Sequence, residues 1–229
     1  MALYVVGHPA LPLTCLIKRA NMSVFKPDRA PGFGTIYTWF AMDRRGRIAF
    51  MLNNCFGDLP RALLRIDNVE ALLDSMSEFV WEESSDYSTY PADKGGDFTV
   101  DLFSAWRFRD NLNKEYIINK LKNEWSESGK YSDANLAINK GLFIYWGVEG
   151  SSPGQDYPFG YEGETKMGDY FRYIVPTKFA SVDDFPPALR SGIAVSRTLD
   201  FTVDRVLDND KINDYFPAVF SPGLPDDTL

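Results

Sequence analysis

A chain of 229 residues with a hydrophobic fraction of 45% and a formal net charge of −8 has the composition of an ordinary globular protein. No stretch approaches the ~20 consecutive apolar residues of a membrane span, so we expect no membrane partner. The charge is uneven: residues 1–81 hold nine Lys and Arg against seven Asp and Glu, whereas residues 82–229 hold 15 against 25. Because so acidic a surface repels phosphate backbones, we also expect no direct nucleic-acid contact.

The N-terminus lacks a basic leader before its apolar run and contains Pro9 and Pro12. This pattern is typical of a first strand and turn rather than of a signal peptide. Cys15 and Cys55 are too few for a disulfide framework, and the sequence leaves their pairing open. These features together predict a cytoplasmic protein.

The first clear elements are two apolar segments, residues 35–42 and 47–52, on either side of Asp43 to Gly46. They predict a β-hairpin in which Gly46 supplies a positive φ. Since both faces of each strand are apolar, we expect the hairpin inside a sheet that is covered on both sides. The basic turn Arg44-Arg45-Gly46-Arg47 is too small to bind nucleic acid, and we interpret it as a solvated turn.

Two helices are expected in the next hundred residues, after a short helix that Asp58 caps and Pro60 begins. The first covers residues 67–80, where Asp67 and Glu70 have capping-box spacing. Its apolar stripe consists of Val69, Leu72, Leu73, Met76 and Val80. The second lies around residues 113–126, where apolar residues recur every four positions at Ile117, Leu121 and Trp125.

The later chain predicts buried strands at 141–148 and 170–175, a short capped helix at 181–190, and a half-exposed strand from the alternation over 193–203. Two long polar loops, residues 82–97 and 149–169, interrupt these elements. Hairpins without regular βαβ spacing favour an α+β fold, with a mainly antiparallel sheet packed against a few helices. We treat residues 1–229 as one domain, with residue 130 as the point of any subdivision.

The sequence contains few residue patterns of the types that form catalytic or metal sites. His8 is the only histidine, and paired histidines, Cys-x-x-Cys and calcium-loop spacings are missing from the sequence. We therefore assign no catalytic residues, no metal site and no cofactor. Five aspartates could gather a cation, although a solvated acidic segment explains them better: Asp200, Asp204, Asp208, Asp210 and Asp214.

Two stretches carry a resemblance to a known class. "WFAMDRRGRIAFMLNNCFGDLPRALL" (39–64) and "YFRYIVPTKFASVDDFPPALR" (170–190) resemble segments common in bacterial immunity proteins of polymorphic toxin systems, both contact-dependent and type VI-delivered. The stretches cover about a fifth of the chain. The first pattern is matched by Phe40, Ala41, Asp43, Gly46, Ile48, Ala49, Phe50, Gly57 and Pro60.

The resemblance implies an immunity protein that binds and occludes a cognate toxin domain in the cytoplasm, without catalysis. An acidic surface would steer a basic toxin, of which a nuclease is one kind. The alternative is a carboxylate-dependent hydrolase, which needs two Asp or Glu side chains facing each other in a cleft. We expect the toxin contacts in the two long loops, although their aromatic rings could instead pack back onto the core: Glu82, Glu83, Asp86, Tyr87, Tyr90, Asp156, Tyr157, Phe159 and Tyr161.

Overall fold

The computed structural model of the protein describes residues 32, 34–101, 108, 111, 113–149, 161 and 163–222. Eight strands form one sheet in the order β3-β5-β4-β2-β1-β6-β8, and β7 pairs with β5. The strands are β1 (Thr38–Met42), β2 (Ile48–Leu52), β3 (Phe98–Val100), β4 (Phe143–Gly147), β5 (Tyr170–Pro176), β6 (Ile193–Val195), β7 (Val206–Leu207) and β8 (Ala218–Val219).

The predicted hairpin is confirmed and lies at the centre of the sheet. β1 and β2 are antiparallel, with Phe40 opposite Phe50, and Gly46 has the expected positive φ of 77°. Successive side chains of a strand point to opposite faces, so neighbouring residues of β1 contact the two sides of the sheet. Phe40 contacts Phe185 on one face, with ring centroids 5.6 Å apart, and Trp39 contacts Phe216 on the other at 5.3 Å. Both faces are therefore covered.

The α+β class is confirmed, but the sheet is mixed rather than mainly antiparallel. β1 pairs in parallel with β6, and β2 pairs in parallel with β4. After β2 the chain passes through several helical segments and β3 before it returns as β4, and such a long crossover permits parallel pairing. The sequence signals for hairpins are local, so they could not reveal these two distant pairings.

Among the described residues there are five α-helical segments, of which Val69–Val80 packs against β1 and Lys114–Ser128 against β3. The five residues Leu136–Lys140 form a π-helical turn. Short 3₁₀ turns occur at Gly129–Tyr131, Val182–Asp184, Arg190–Gly192 and Asn209–Lys211. The helices are α1 (Arg61–Leu64), α2 (Val69–Val80), α3 (Lys114–Ser128), α4 (Asp133–Asn135) and α5 (Ile212–Tyr215).

The helix interiors are as predicted, but two of the predicted caps are wrong. Helix α2 begins after Asn68, which is left-handed at φ 57° and makes no side-chain cap, so the capping box fails. Pro60, not Asp58, precedes α1. Helix α3 is capped by Asn113, whose side chain accepts a hydrogen bond from the Tyr116 N–H at 3.1 Å.

Two later predictions are also wrong. The strand expected over 193–203 ends at Val195, because Ser196 and the residues after it form turns. The helix expected over 181–190 is reduced to the turn at Val182–Asp184, which does have a capping box between Ser181 and Asp184.

No helix among the described residues is long and apolar enough to cross a bilayer. Cys55 is buried, while Cys15 and His8 lie outside the described residues.

Candidate functional site

Glu82, the first residue of the predicted contact set, is half-buried. Its carboxylate forms an ion pair with Lys140, and its backbone carbonyl accepts a hydrogen bond from Lys130 Nζ at 3.0 Å. Its φ of 58° is unusual for a residue with a side chain. Glu82 therefore anchors the start of the loop.

Tyr87 and Tyr90 are half-buried and pack against the core. Both rings lie against Phe79 of α2, with centroid distances of 6.5 Å and 5.3 Å. The Lys140 ammonium lies 5.7 Å from the centroid of the Tyr90 ring. The two tyrosines thus follow the alternative interpretation, in which aromatic loop residues return to the core.

Glu83 and Asp86 are exposed, as a contact surface requires. From the second loop, Asp156, Tyr157 and Phe159 lie outside the described residues, and Tyr161 packs against Val148 and Phe171. Val148 follows β4, whereas Tyr90 lines a groove with Leu142, which precedes β4. A five-residue strand spans about 17 Å, so the described parts of the two loops do not form one cluster.

A row of carboxylates continues from Glu83 along the outer face of α2. Glu70, Asp74 and Glu78 are spaced four residues apart, so they lie above one another on one side of the helix. The Glu83 N–H donates to the Glu78 carbonyl at 2.8 Å, which joins the loop to this row. We name the acidic stripe as Glu70, Asp74, Glu78, Glu83 and Asp86.

The acidic stripe lacks compensating charge. Within the part of the chain that the structure describes, none of its five carboxylates forms an ion pair with Lys or Arg. The pKa of Asp74 is raised, first by burial and then by the negative charges of Glu70 and Glu78. Like charges at this spacing oppose helix formation. The apolar stripe of α2 predicts the helix but not this row, for which the four-residue spacing of the acids is the signal in the sequence.

A small groove lies between the loop and the sheet. Phe79, Tyr90, Leu142 and Phe185 line it, and Lys94 pairs with Asp184 at its edge with an N–O distance of 2.9 Å. Its enclosed volume of about 20 Å³ has room for roughly one water molecule. Pockets that hold small-molecule ligands are typically much larger.

The five aspartates considered as a cation site do not gather in one place. Asp200 binds arginines of the hairpin, and Asp204 accepts a hydrogen bond from the Asp200 N–H at 2.6 Å. Asp208 accepts a hydrogen bond from the Asp210 N–H at 3.0 Å, and Asp210 pairs with Lys166. Among the described residues, the structure contains no group of three or more His, Cys, Asp or Glu side chains suited to a metal ion.

The hairpin turn, interpreted above as a solvated turn, is held by buried hydrogen bonds and ion pairs. Asp43 is fully buried and accepts hydrogen bonds from the N–H groups of Arg45 and Arg47 and from Phe201, all between 2.9 and 3.0 Å. Arg47 is mostly buried and pairs with both Asp43 and Asp200. That interpretation is therefore wrong for Arg47, although Arg44 and Arg45 are exposed.

Asp200 is 6% exposed, and its carboxylate contacts Arg44, Arg45 and Arg47. Burial acts to raise the pKa of its carboxyl, but hydrogen bonds from Thr202 and Arg45 and the charge of Arg47 outweigh that effect and hold the pKa well below its usual range. Arg172 and Arg205 form a second cluster around Asp101, with N–O distances of 2.7 Å to each arginine. The two clusters fasten the segment after β6 to the sheet.

Comparisons of the chain with protein-family models, with curated proteins and with solved structures each return no match. The fold and the surface chemistry therefore carry the functional argument. They define an acidic α+β protein in which uncompensated carboxylates follow one helix and the loop after it.

Proposed function

We propose that this protein is a cytoplasmic immunity protein that binds a cognate toxin domain and blocks its active site without catalysis. The observation that carries the proposal is the acidic stripe, whose five exposed or half-exposed carboxylates have no cationic partner among the described residues. The resemblance of residues 39–64 and 170–190 to immunity proteins points to the same class. The stripe opposes the stability of its own helix, which is expected where charge serves binding.

The mechanism we propose is charge complementarity with a basic active site. Carboxylates four residues apart repeat every ~6 Å along a helix axis. A row of this kind resembles the negative charges of a nucleic-acid strand, which makes a nuclease a suitable target. Complementary charge speeds the encounter of the two proteins. Lys and Arg of the toxin would supply the cationic partners that the carboxylates on α2 lack.

The hydrolase alternative needs two carboxylates across a cleft. In the groove between the loop and the sheet, the described lining contains one carboxylate, Asp184, and it is paired with Lys94. This groove therefore offers no second carboxylate for general acid and base roles. The binding proposal is the better supported of the two.

A protection assay tests the proposal. A strain that lacks this gene is grown in contact with its parent, and its survival is measured with variants supplied in trans. We expect the wild-type chain to restore survival and E78Q/E83Q/D86N to restore at least about tenfold less, because the stripe loses three charges. The matched control is E115Q/E127Q/E164Q, which neutralises three exposed glutamates elsewhere and should protect fully. Equal protection by both triple variants would contradict the role of the stripe, and a parent harmless to the deletion strain would contradict immunity.

A further inference from the structure

The hairpin turn presents arginines that the proposed function does not use. Arg44 and Arg45 follow the buried Asp43, and Arg197 lies in the turn after β6. That turn is held against the hairpin by two backbone hydrogen bonds, Ser196 N–H to the Met42 carbonyl at 2.8 Å and Arg44 N–H to the Leu199 carbonyl at 3.0 Å. We name Arg44, Arg45 and Arg197 the arginine patch.

The exposed charges of Arg44, Arg45 and Arg197 are positive. The carboxylates of Asp43 and Asp200 are buried beneath the patch, whereas all three arginines are exposed. Arg45 donates from Nε to Asp200 at 3.1 Å, and its side chain is still 65% exposed. Among the described residues, both Nη groups of Arg45 lack a hydrogen-bond acceptor, and Arg197 lacks an ion-pair partner. The patch therefore has donor capacity for an outside anion.

Arg44 and Arg45 are also oriented before any partner binds, because both contact the Asp200 carboxylate. Asp200 accepts hydrogen bonds from the Thr202 N–H at 3.0 Å and hydroxyl at 2.5 Å, which fixes the carboxylate that Arg45 contacts. Arg44 reaches the same carboxylate at 3.6 Å. A guanidinium that is already oriented loses less conformational entropy on binding, and its planar edge matches a carboxylate.

Two exposed apolar side chains lie next to Arg47 and Asp200, to which the patch is attached. Phe179 is exposed and stacks on Phe143 with ring centroids 5.4 Å apart, and the Arg47 guanidinium carbon is 5.4 Å from the centroid of its ring. Val203 is 66% exposed, and its N–H donates to the Asp200 carbonyl at 2.8 Å. Arginine next to aromatic and apolar surface is the composition of energetically important interface residues.

We infer that the arginine patch, together with Phe179 and Val203, binds an acidic segment of a protein partner that carries an apolar side chain beside its carboxylates. A net charge of −8 repels a long polyphosphate but weighs less on a short peptide with few charges. The apolar neighbours also suit a peptide better than a phosphate backbone. This inference is independent of the proposed toxin, which would bind a surface of the opposite sign.

Fluorescence anisotropy with defined probes tests the inference. The probes are a labelled twelve-residue peptide of glutamate and leucine, its lysine counterpart, and a labelled single-stranded DNA of twelve nucleotides. The full chain should bind the acidic peptide more tightly than the DNA, whereas the lysine peptide would use the acidic stripe and its binding should not change in R44Q/R45Q. R44Q/R45Q should bind the acidic peptide about tenfold more weakly, because two charge-assisted contacts are lost.

The matched control is R61Q/R65Q, which removes two exposed arginines at α1 and should leave the affinity unchanged. Circular dichroism and thermal melting of both variants separate loss of binding from loss of folding. The inference is overturned if the wild-type chain does not bind the acidic peptide, if both double variants lose affinity equally, or if the DNA probe binds more tightly and is the one released by R44Q/R45Q.

Discussion

At the scale of single residues, charges in this protein fall into two groups with different roles. Asp43, Asp101 and Asp200 are buried and paired with arginines, so they stabilise the packing of chain segments distant in sequence. Glu83 and Asp86 are exposed without a cation among the described residues. Truncating a buried partner should therefore reduce stability, whereas changing an exposed carboxylate should affect binding.

Replacing Asp200 with Asn should lower the free energy of unfolding at pH 7 by about 3 kcal/mol, since it leaves Arg47 with a neutral partner in a mostly buried site. The pKa of the Asp200 carboxyl is lowered in the folded state, by the hydrogen bonds and charge that outweigh burial. Its stabilisation is therefore fully present above the unfolded pKa of about 3.9 and is lost as the pH falls below it. Urea unfolding should show the difference between wild type and D200N shrinking as the pH falls from about 5 to 2.

The control for this measurement is Asp210→Asn. Asp210 is 70% exposed and pairs with Lys166, so its loss should change stability by less than about 1 kcal/mol. A D200N variant that destabilises equally at pH 7 and at pH 2 would show that the charge of Asp200 is not what stabilises the cluster.

At the scale of elements, α2 combines a buried apolar stripe with an outer face of like charges. The buried residues fix the helix on β1, and Glu70, Asp74 and Glu78 repel one another on the other side. Packing is strong enough to hold the helix despite this repulsion, since most helical stability in proteins comes from tertiary contacts. The outer face is thus free to vary for function.

Asp74→Asn should raise the free energy of unfolding at pH 7 by about 0.5 kcal/mol, because it removes like-charge pairs four residues apart. The pKa of Asp74 is raised in the folded protein, by burial and by Glu70 and Glu78. The folded state thus binds this proton more tightly than the unfolded state, and stability falls as the pH rises through that interval. The gain from D74N should consequently vanish below about pH 3, as thermal unfolding at both pH values would reveal.

Asp67→Asn is the matched control on the same helix. Asp67 is exposed just before α2 begins, where a negative charge suits the helix dipole, so this variant should bring no gain. If D74N and D67N alter stability alike at pH 7, charge repulsion along α2 is not the cause.

The elements that could be predicted from sequence are those with local signals. The hairpin follows from two apolar runs around Gly46, and α2 and α3 follow from apolar residues three and four positions apart. The parallel pairs β1–β6 and β2–β4 depend on contacts between segments far apart in the chain, which no local pattern encodes. The alternation over 193–203 wrongly predicted a half-exposed strand. Asp200 stands at a position expected to face solvent, but arginines from the hairpin bury it.

The candidate site was predictable only in part for the same reason. Glu83 and Asp86 were found because an exposed polar loop is visible in the sequence. The roles of Glu82, Tyr87 and Tyr90 depend on Lys140 and Phe79, whose proximity only the fold reveals. Glu70, Asp74 and Glu78 were accessible from helical spacing, but their lack of cationic partners required the positions of every described Lys and Arg.

At the scale of the whole molecule, the protein carries a net charge of −8 and two surfaces of opposite sign. The acidic stripe follows α2 and the loop after it, and the arginine patch lies at the hairpin end of the sheet. A toxin attracted by the overall charge would be guided toward the stripe, since steering acts on the summed field of the molecule. Raising the salt concentration should weaken this attraction.

The most direct measurement is a parallel pull-down with tagged full-length chains in the native organism, with the captured proteins identified by mass spectrometry. We expect the wild-type chain and E115Q/E127Q/E164Q to capture, in stoichiometric amount, the C-terminal domain of a large secreted protein. E78Q/E83Q/D86N should capture far less of it. If the wild-type chain captures no such domain from cells that express the toxin, or if E78Q/E83Q/D86N captures it as well as wild type does, the toxin-binding role of the acidic stripe is contradicted.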